Sequence, residues 1–376
     1  MTMRLDESWA LEQDAADPLA HFRSEFLFPK APDGGDVVYF AGNSLGLQPK
    51  NVRRYVDEAL EDWAQLAVTG HFRGRNPWMQ YHEQLAGPTA RLVGALPHEV
   101  VVMNTLTVNL HLMMVSFYRP TKTRFRILME GGAFPSDQYA VQSQVRFHGF
   151  EPDEAIVELK PRPGESLLRK ADIEETLARE GDSIALVLLG CPNYLTGQAF
   201  DMAGITRAAH AKGCRVGFDL AHAAGNLKLS LHDDGPDFAV WCTYKYLNAG
   251  PGNLSGAFVH ERHANDASLP RFAGWWGHDK ATRFKMGPQF QPIVGAEGWQ
   301  LSNAPILQLA AMRASLELFD QAGMTALREK GDRLTAYLEA LLLAIPGGLV
   351  EVVSPRDVKQ RGSQLSLRIK HRKQPG

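Results

Sequence analysis

Short apolar runs alternate with longer amphipathic stretches along most of this chain. Val37–Phe40, Val100–Met103, Arg126–Met129, Ala185–Leu189, Arg215–Asp219, Phe238–Cys242 and Gly256–His260 are mostly β-branched or aromatic and read as strands. Helix-length segments lie between them, among them Val52–Ala67, Val108–Phe117, Ile173–Ala178 and Ile205–Lys212. Repeated strand–helix alternation predicts an α/β fold with a mainly parallel central sheet covered on both faces. After Ser302 the pattern changes. Pro305–Ala322 and Met324–Leu343 read as long amphipathic helices, followed by the apolar runs Leu349–Val353 and Leu365–Ile369. Late helices with short strands predict a smaller α+β domain over residues 304–376, after a large domain over 46–303. Residues 1–45 are expected to pack with the small domain, and His371–Gly376 is a polar end without signal.

Composition narrows the function classes. The chain has 376 residues, 44% of them hydrophobic and 22% charged, which is ordinary for a globular protein with a sizeable core. Its formal net charge is -2 and it has no long basic run, so nucleic acid is not the expected partner. Three widely spaced cysteines, Cys191, Cys214 and Cys242, form no CxxC pattern, which fits a reduced, cytoplasmic setting. The start of the chain lacks a basic segment followed by an apolar run, so no signal peptide is expected. No apolar stretch is long enough to predict a membrane span.

Candidate chemistry gathers at strand ends. Asp219 closes the run CRVGFD, and a carboxylate at the end of a buried parallel strand faces the crevice where such sheets bind ligands. Alone it reads equally as a helix cap. Lys245 follows the next strand, 26 residues on, in the segment WCTYKY. A lysine in such apolar company is costly unless it is paired, loses its proton or forms a Schiff base. Asn248–Gly252 then allows a tight turn. An acid for a pyridine nitrogen and a lysine for an aldehyde are the two groups that pyridoxal phosphate requires. A phosphate seat is offered where Asn104–Thr107 opens a helix, with free N–H groups and the Thr107 hydroxyl. Phe134, in the turn after Arg126–Met129, has a ring able to stack on a flat cofactor, and Asp137 has a carboxylate able to bond it. Rival motifs for nucleotide binding, zinc proteolysis or serine hydrolysis do not occur. The thirteen histidines show no tight metal pattern, and His260 and His263 read as solvated. Trp275–Trp276 reads as a binding wall or as core.

Taken together, FAGNSLGLQP (Phe40–Pro49), HFRGRNPW (His71–Trp78), NTLTVNLH (Asn104–His111), FPSD (Phe134–Asp137), GFDLAHAAGN (Gly217–Asn226), TYKYLNAG (Thr243–Gly250), GWWGH (Gly274–His278), TRFKM (Thr282–Met286) and LSNAP (Leu301–Pro305) resemble the kynureninases. These are fold-type I pyridoxal-phosphate enzymes related to the aspartate aminotransferases. The resemblance implies that Lys245 carries the cofactor as a Schiff base and that Asp219 pairs with its ring nitrogen. Phe134 would stack on the ring, with Pro135, Ser136, Asp137 and His222 lining the cofactor. Leu106, Thr107 and Tyr244 would serve the phosphate, and Tyr244 would also serve proton transfer. Trp275 and Asn303 would reach the phosphate region from a partner subunit, so a homodimer with a shared active site is implied. Ser44 and His71 would lie near the aromatic end of the substrate. The reaction implied is hydrolysis of L-kynurenine, or its 3-hydroxy form, to anthranilate, or 3-hydroxyanthranilate, and L-alanine, in tryptophan breakdown or NAD biosynthesis.

The pattern departs from the family in two places. Relatives usually continue past this end with an arginine that grips the substrate carboxylate, and Arg368, Lys370 and Arg372 do not match that segment. An alternative expectation is therefore a catalytically impaired pyridoxal-phosphate protein, and another is a cysteine-desulfurase-like lyase. At Gly190, relatives can place a hydroxyl that glycine lacks.

Overall fold

The computed structural model describes residues 3–370, so His371–Gly376, Arg372 included, lie outside the described residues. Strands β1 (Phe26–Leu27) and β2 (Gln48–Pro49) form a small antiparallel ribbon. The centre is a seven-stranded sheet of β3 (Val100–Met103), β4 (Arg126–Glu130), β5 (Ile156–Leu159), β6 (Ile184–Gly190), β7 (Arg215–Asp219), β8 (Phe238–Cys242) and β9 (Ser255–Val259). Their order is β3-β9-β8-β7-β6-β4-β5, with β9 antiparallel to both neighbours and all other pairings parallel. Six strands therefore run one way and end at one edge.

The continuous apolar character of these strands follows from burial on both faces. Along β3, Val100 and Val102 enter one apolar cluster, while Val101 and Met103 enter the other. The same alternation divides Val187 and Leu189 from Leu186 and Leu188 on β6. Each such buried side chain contributes about 1.5–3 kcal/mol relative to its exposed state.

The α/β expectation holds, with local differences. Val37–Phe40 is not a strand. It has β-branched and aromatic residues but no neighbour to complete a ladder, and only Asp36 bridges, to Lys30. Phe40 is 84% exposed. Conversely, the sequence pattern did not single out β5, a four-residue edge strand carrying the exposed Glu158. The helix expected over Ile173–Ala178 extends over Lys170–Glu180, because its charged ends lie outside the apolar pattern. The late helices are Ile306–Ala322 and Met324–Leu343, and β10 (Val350–Val352) pairs antiparallel with β11 (Leu367–Ile369). The N-terminal helix Glu7–Ala15 lies against Met324–Leu343, with the Trp9 and Tyr337 rings 4.9 Å apart and Lys330 bonded to Asp17. No helix of the described residues is long and apolar enough to cross a membrane.

Asp237, just before β8, ties the opposite edge of the sheet. Fully buried, it accepts hydrogen bonds from Val216 N (2.7 Å), Arg215 Nη1 (3.1 Å), His263 Nε2 (2.7 Å) and His210 Nε2 (2.9 Å). His263 is thus buried and bonded, contrary to its solvated reading, and His260 lies 3.7 Å from the buried Glu99. Burial alone would raise the Asp237 pKa, but the bonds from His210 and His263 outweigh it and hold it well below the usual carboxylate range. A depressed folded-state pKa stabilises above the unfolded value and loses that contribution as pH falls. Asp237→Ala is expected to cost about 3–5 kcal/mol in urea unfolding at neutral pH, because three cationic or basic partners lose their acceptor. The difference from the parent protein should shrink as pH falls below about 4.

Candidate active site

The C-terminal edge of the sheet collects the predicted chemistry. Past β3, Asn104 turns the chain at φ 47°, and its amide donates to Asn109 Oδ1 at 3.0 Å. The helix Leu106–Phe117 then starts, with its first-turn N–H groups pointing back toward the edge. Past β4, a turn leads through Phe134 into the helix Pro135–Phe147, where Pro135 fixes the first helical position and Asp137 lies in the first turn. The Ser136 and Thr107 hydroxyls are 2.7 Å apart, joining the two helix starts. Asp219 ends β7 beside Gly190 at the end of β6. Tyr244 and Lys245 follow β8.

These segments enclose one cavity of about 120 Å³. Leu106, Thr107, Phe134, Ser136, Asp137, Asp219, His222, Tyr244 and Lys245 all line it. The Lys245 ammonium lies 5.8 Å from the centre of the Phe134 ring, which also meets Tyr194 edge-on. Asp219 is buried and accepts from Ala221 N at 2.8 Å. Burial, opposed by that bond and by Lys245, pushes its pKa up. Asp137 is pushed well up by burial and then by the adjacent charge of Asp219. Burial drives His222 down to about 4, with Lys245 acting in the same direction, and drives Tyr244 up to about 12. Near neutral pH the imidazole is therefore neutral and the phenol keeps its proton.

The pocket fits pyridoxal phosphate. Asp137 Oδ1 and His222 Nδ1 are buried without a hydrogen-bond partner, an arrangement that calls for a polar guest. An aromatic face, a lysine amine, a buried acid and a helix N-terminus surround the same space, and each matches one part of the cofactor.

Five expected residues do not line this cavity: Pro135, which heads its helix between the lining residues Phe134 and Ser136, and four from other segments. Ser44 is exposed in a turn closed by its N–H on Ala41 O. His71 packs edge-on against Trp78 with ring centres 5.2 Å apart. Trp275 is 41% exposed and donates to Arg283 O at 3.3 Å, and Asn303 is exposed. Ser44 is still tethered, because Gly46 N donates to Tyr244 O at 2.8 Å. A Cβ on Gly46 would come within 2.4 Å of Lys245 O, so only glycine allows this approach.

Sequence reasoning missed Glu130 and Tyr194, which also line the cavity. Glu130 ends a buried strand just as Asp219 does, so the rule applied to one acid would have found the other. Tyr194 carried no such signal.

Comparison with known proteins agrees with this geometry. Residues 38–374 match the aminotransferase class-V family. A kynureninase from Myxococcus xanthus is 70% identical, over 97% of this chain and 85% of its own. One from Koribacter versatilis is 62% identical, over 96% and 86%. The chain belongs to the kynureninase family. Solved structures share the fold at low identity. A cysteine desulfurase from Thermococcus onnurineus has a TM-score of 0.71 at 17% identity, covering 98% of this chain and 83% of its own. A C-DES mutant with glycine linked covalently to the PLP cofactor has a TM-score of 0.74 at 18%, covering 92% and 86%.

Lys245→Ala is expected to abolish the visible absorption of the lysine-bound cofactor, since no other lysine lines the pocket of a kynureninase-family site built this way. A spectrum identical to that of the parent protein would refute the assignment. Asp219→Ala should retain cofactor weakly in dialysis and lower turnover by roughly a hundredfold or more.

Proposed function

We propose that this chain hydrolyses the Cβ–Cγ bond of L-kynurenine, or of its 3-hydroxy form, to give anthranilate, or 3-hydroxyanthranilate, and L-alanine, with pyridoxal phosphate as cofactor. The observation that carries this reading is the pocket in which Lys245, Asp219, Phe134 and the helix start at Leu106 meet, in a chain 70% identical to a curated kynureninase. Such a reaction lies in tryptophan breakdown or on a route toward NAD.

When bound, the cofactor supplies an electron sink for the amino-acid skeleton of the substrate. The chain's own groups do the rest. Lys245 would hold the cofactor carbonyl, and its Nζ is the amine placed to move the proton at the substrate α-carbon. Asp219 would pair with the ring nitrogen and keep it protonated. The first-turn N–H groups of Leu106–Phe117, with the Thr107 hydroxyl, would seat the phosphate, and Phe134 would stack on the ring. Tyr244 retains its proton, so it donates a hydrogen bond to the phosphate or to the oxyanion that develops when water adds at the γ-carbonyl. Water completes the cleavage: its oxygen stays with anthranilate, and a proton completes the methyl group of alanine.

A cysteine-desulfurase-like alternative finds no support in the thiols. Burial pushes Cys191 up to about 12 and Cys242 up to about 11, so neither is a thiolate near neutral pH.

The active site is completed in a homodimer. Support comes from exposed apolar residues that fall on the family segments, among them Phe40, Phe72, Trp275, Phe284 and Met286. Trp275 and Asn303 then serve the partner's phosphate region, and Ser44 and His71 the aromatic end of the substrate. We also propose the domain division read from the sequence, in which residues 1–45 go with a small domain over 304–376 and the cofactor belongs to 46–303. Three free, buried cysteines fit a cytoplasmic location.

Two measurements test this reading. Mixing the protein, pyridoxal phosphate and L-kynurenine should give anthranilate fluorescence over many turnovers, and no fluorescence with cofactor demonstrably bound would overturn the substrate assignment. Mixing Lys245→Ala with Trp275→Ala should restore activity that neither shows alone, since each hybrid dimer holds one intact site. No gain on mixing, with subunit exchange verified, would place the whole site within one chain.

A further inference from the structure

Glu130 is a buried acid in the cofactor pocket to which no role has been given. It is 4% exposed at the end of β4, two strands from Asp219, and lines the same cavity. Both of its oxygens accept from Gly190 N, at 3.1 and 3.0 Å. Among the described residues no ion pair reaches it. A Cβ on Gly190 would lie 2.8 Å from Glu130 Oε1, so the carboxyl group occupies the space that a side chain at 190 would need.

We propose that Glu130 is a positioning residue that works as a neutral acid: it bridges β4 to the Gly190 N–H on β6 and leaves Asp219 as the carboxylate that meets the cofactor. The proposal rests on the pyridoxal-phosphate reading of the pocket. The titratable groups that share the space around Glu130 are Asp219 from β7, Asp137 from the helix after Phe134, Cys191 and Tyr194 past β6, His222 past β7, and Tyr244 and Lys245 past β8. Three acids thus face one amine, and they do not all ionise together in so small a space. Burial pushes Glu130 up to about 7, opposed by the Gly190 bond and reinforced by Asp219. Burial raises Asp219 as well, but Asp219 has Lys245 and the Ala221 N–H beside it to favour its charge, whereas Glu130 has the Gly190 N–H.

The test compares the parent protein with Glu130→Gln, an isostere of the neutral acid, and with Glu130→Ala. The first readout needs no cofactor. An acid whose folded pKa lies above its unfolded value weakens the fold as pH rises between the two, so apoprotein melting should fall relative to Glu130→Gln from about pH 4.5 to about pH 7 and run parallel above that. The infrared band of a protonated carboxylic acid at pH 6 should be smaller in Glu130→Gln. In the loaded enzyme, Glu130→Gln should keep kcat within about threefold at pH 6, while Glu130→Ala loses about tenfold or more with KM changing less. Parallel melting throughout that window, or a glutamine variant as impaired as the alanine one, would overturn the proposal. Failure of the parent protein to bind pyridoxal phosphate would instead overturn the reading beneath it, and the apoprotein melts separate the two cases.

Discussion

A carboxyl group in an apolar interior keeps its charge only where cations or N–H groups hold it. The central sheet buries acids at both edges and treats them oppositely. At the N-terminal edge, Asp237 is held by two histidines, an arginine and a backbone N–H, and Glu99 accepts from Leu96 N, Glu261 N and His232. At the C-terminal edge, Asp219, Asp137 and Glu130 have few donors, and burial pushes all three upward. The first edge is a tie that needs nothing more. The second is incomplete until a charged guest arrives, and shifted acids in a cavity mark such places.

Register makes that second edge possible. Gly190 pairs with Asp219 across β6 and β7, and Asp219 pairs with Val240 across β7 and β8. A slip of one residue would turn Asp219 to the other face and put an apolar side chain in its place. The alternating apolar residues of these strands forbid the slip, because it would also move Val216 and Phe218 out of the cluster they fill. Packing far from the chemistry thus fixes the distance between acid and amine.

Much of this was legible in the sequence because the relevant signals are local. Strand ends at Asp219 and Cys242, the helix start after Asn104 and the turn through Phe134 all follow from short patterns, and the FDLAHA and TYKYLNAG segments at their spacing pointed to the family. What escaped depends on neighbours distant in sequence. Val37–Phe40 has strand-forming residues, yet a strand is defined by a partner and this one has none. His263 looked like a surface residue until Asp237 was placed beside it. Glu130 carried the same strand-end signal as Asp219, but its meaning depends on Gly190, sixty residues away and two positions short of Pro192. Ser44, His71, Trp275 and Asn303 stay outside the cavity of one chain, and only the proposed dimer would bring Trp275 and Asn303 to a partner's phosphate region.

Charge balance favours neutral acids in the proposed pocket. Its guests are anionic: the cofactor brings a phosphate and an amino-acid substrate brings a carboxylate. Against these the cavity offers one lysine, whose amine is consumed when it binds the aldehyde, and the partial positive charge of one helix start. If all three acids were ionised as well, their mutual repulsion and that of the guests would act across a cavity with room for little screening water. In the proposed site one carboxylate would stand opposite the ring nitrogen and form an ion pair with it. The other two are tolerable only as neutral or proton-sharing groups, and a neutral carboxyl retains what a hydrocarbon would lose, an oxygen for the Gly190 N–H and a proton to donate. Burial pushes all three acids upward, and Asp219 is the one with Lys245 and the Ala221 N–H beside it, which suits it to the charged role proposed for it.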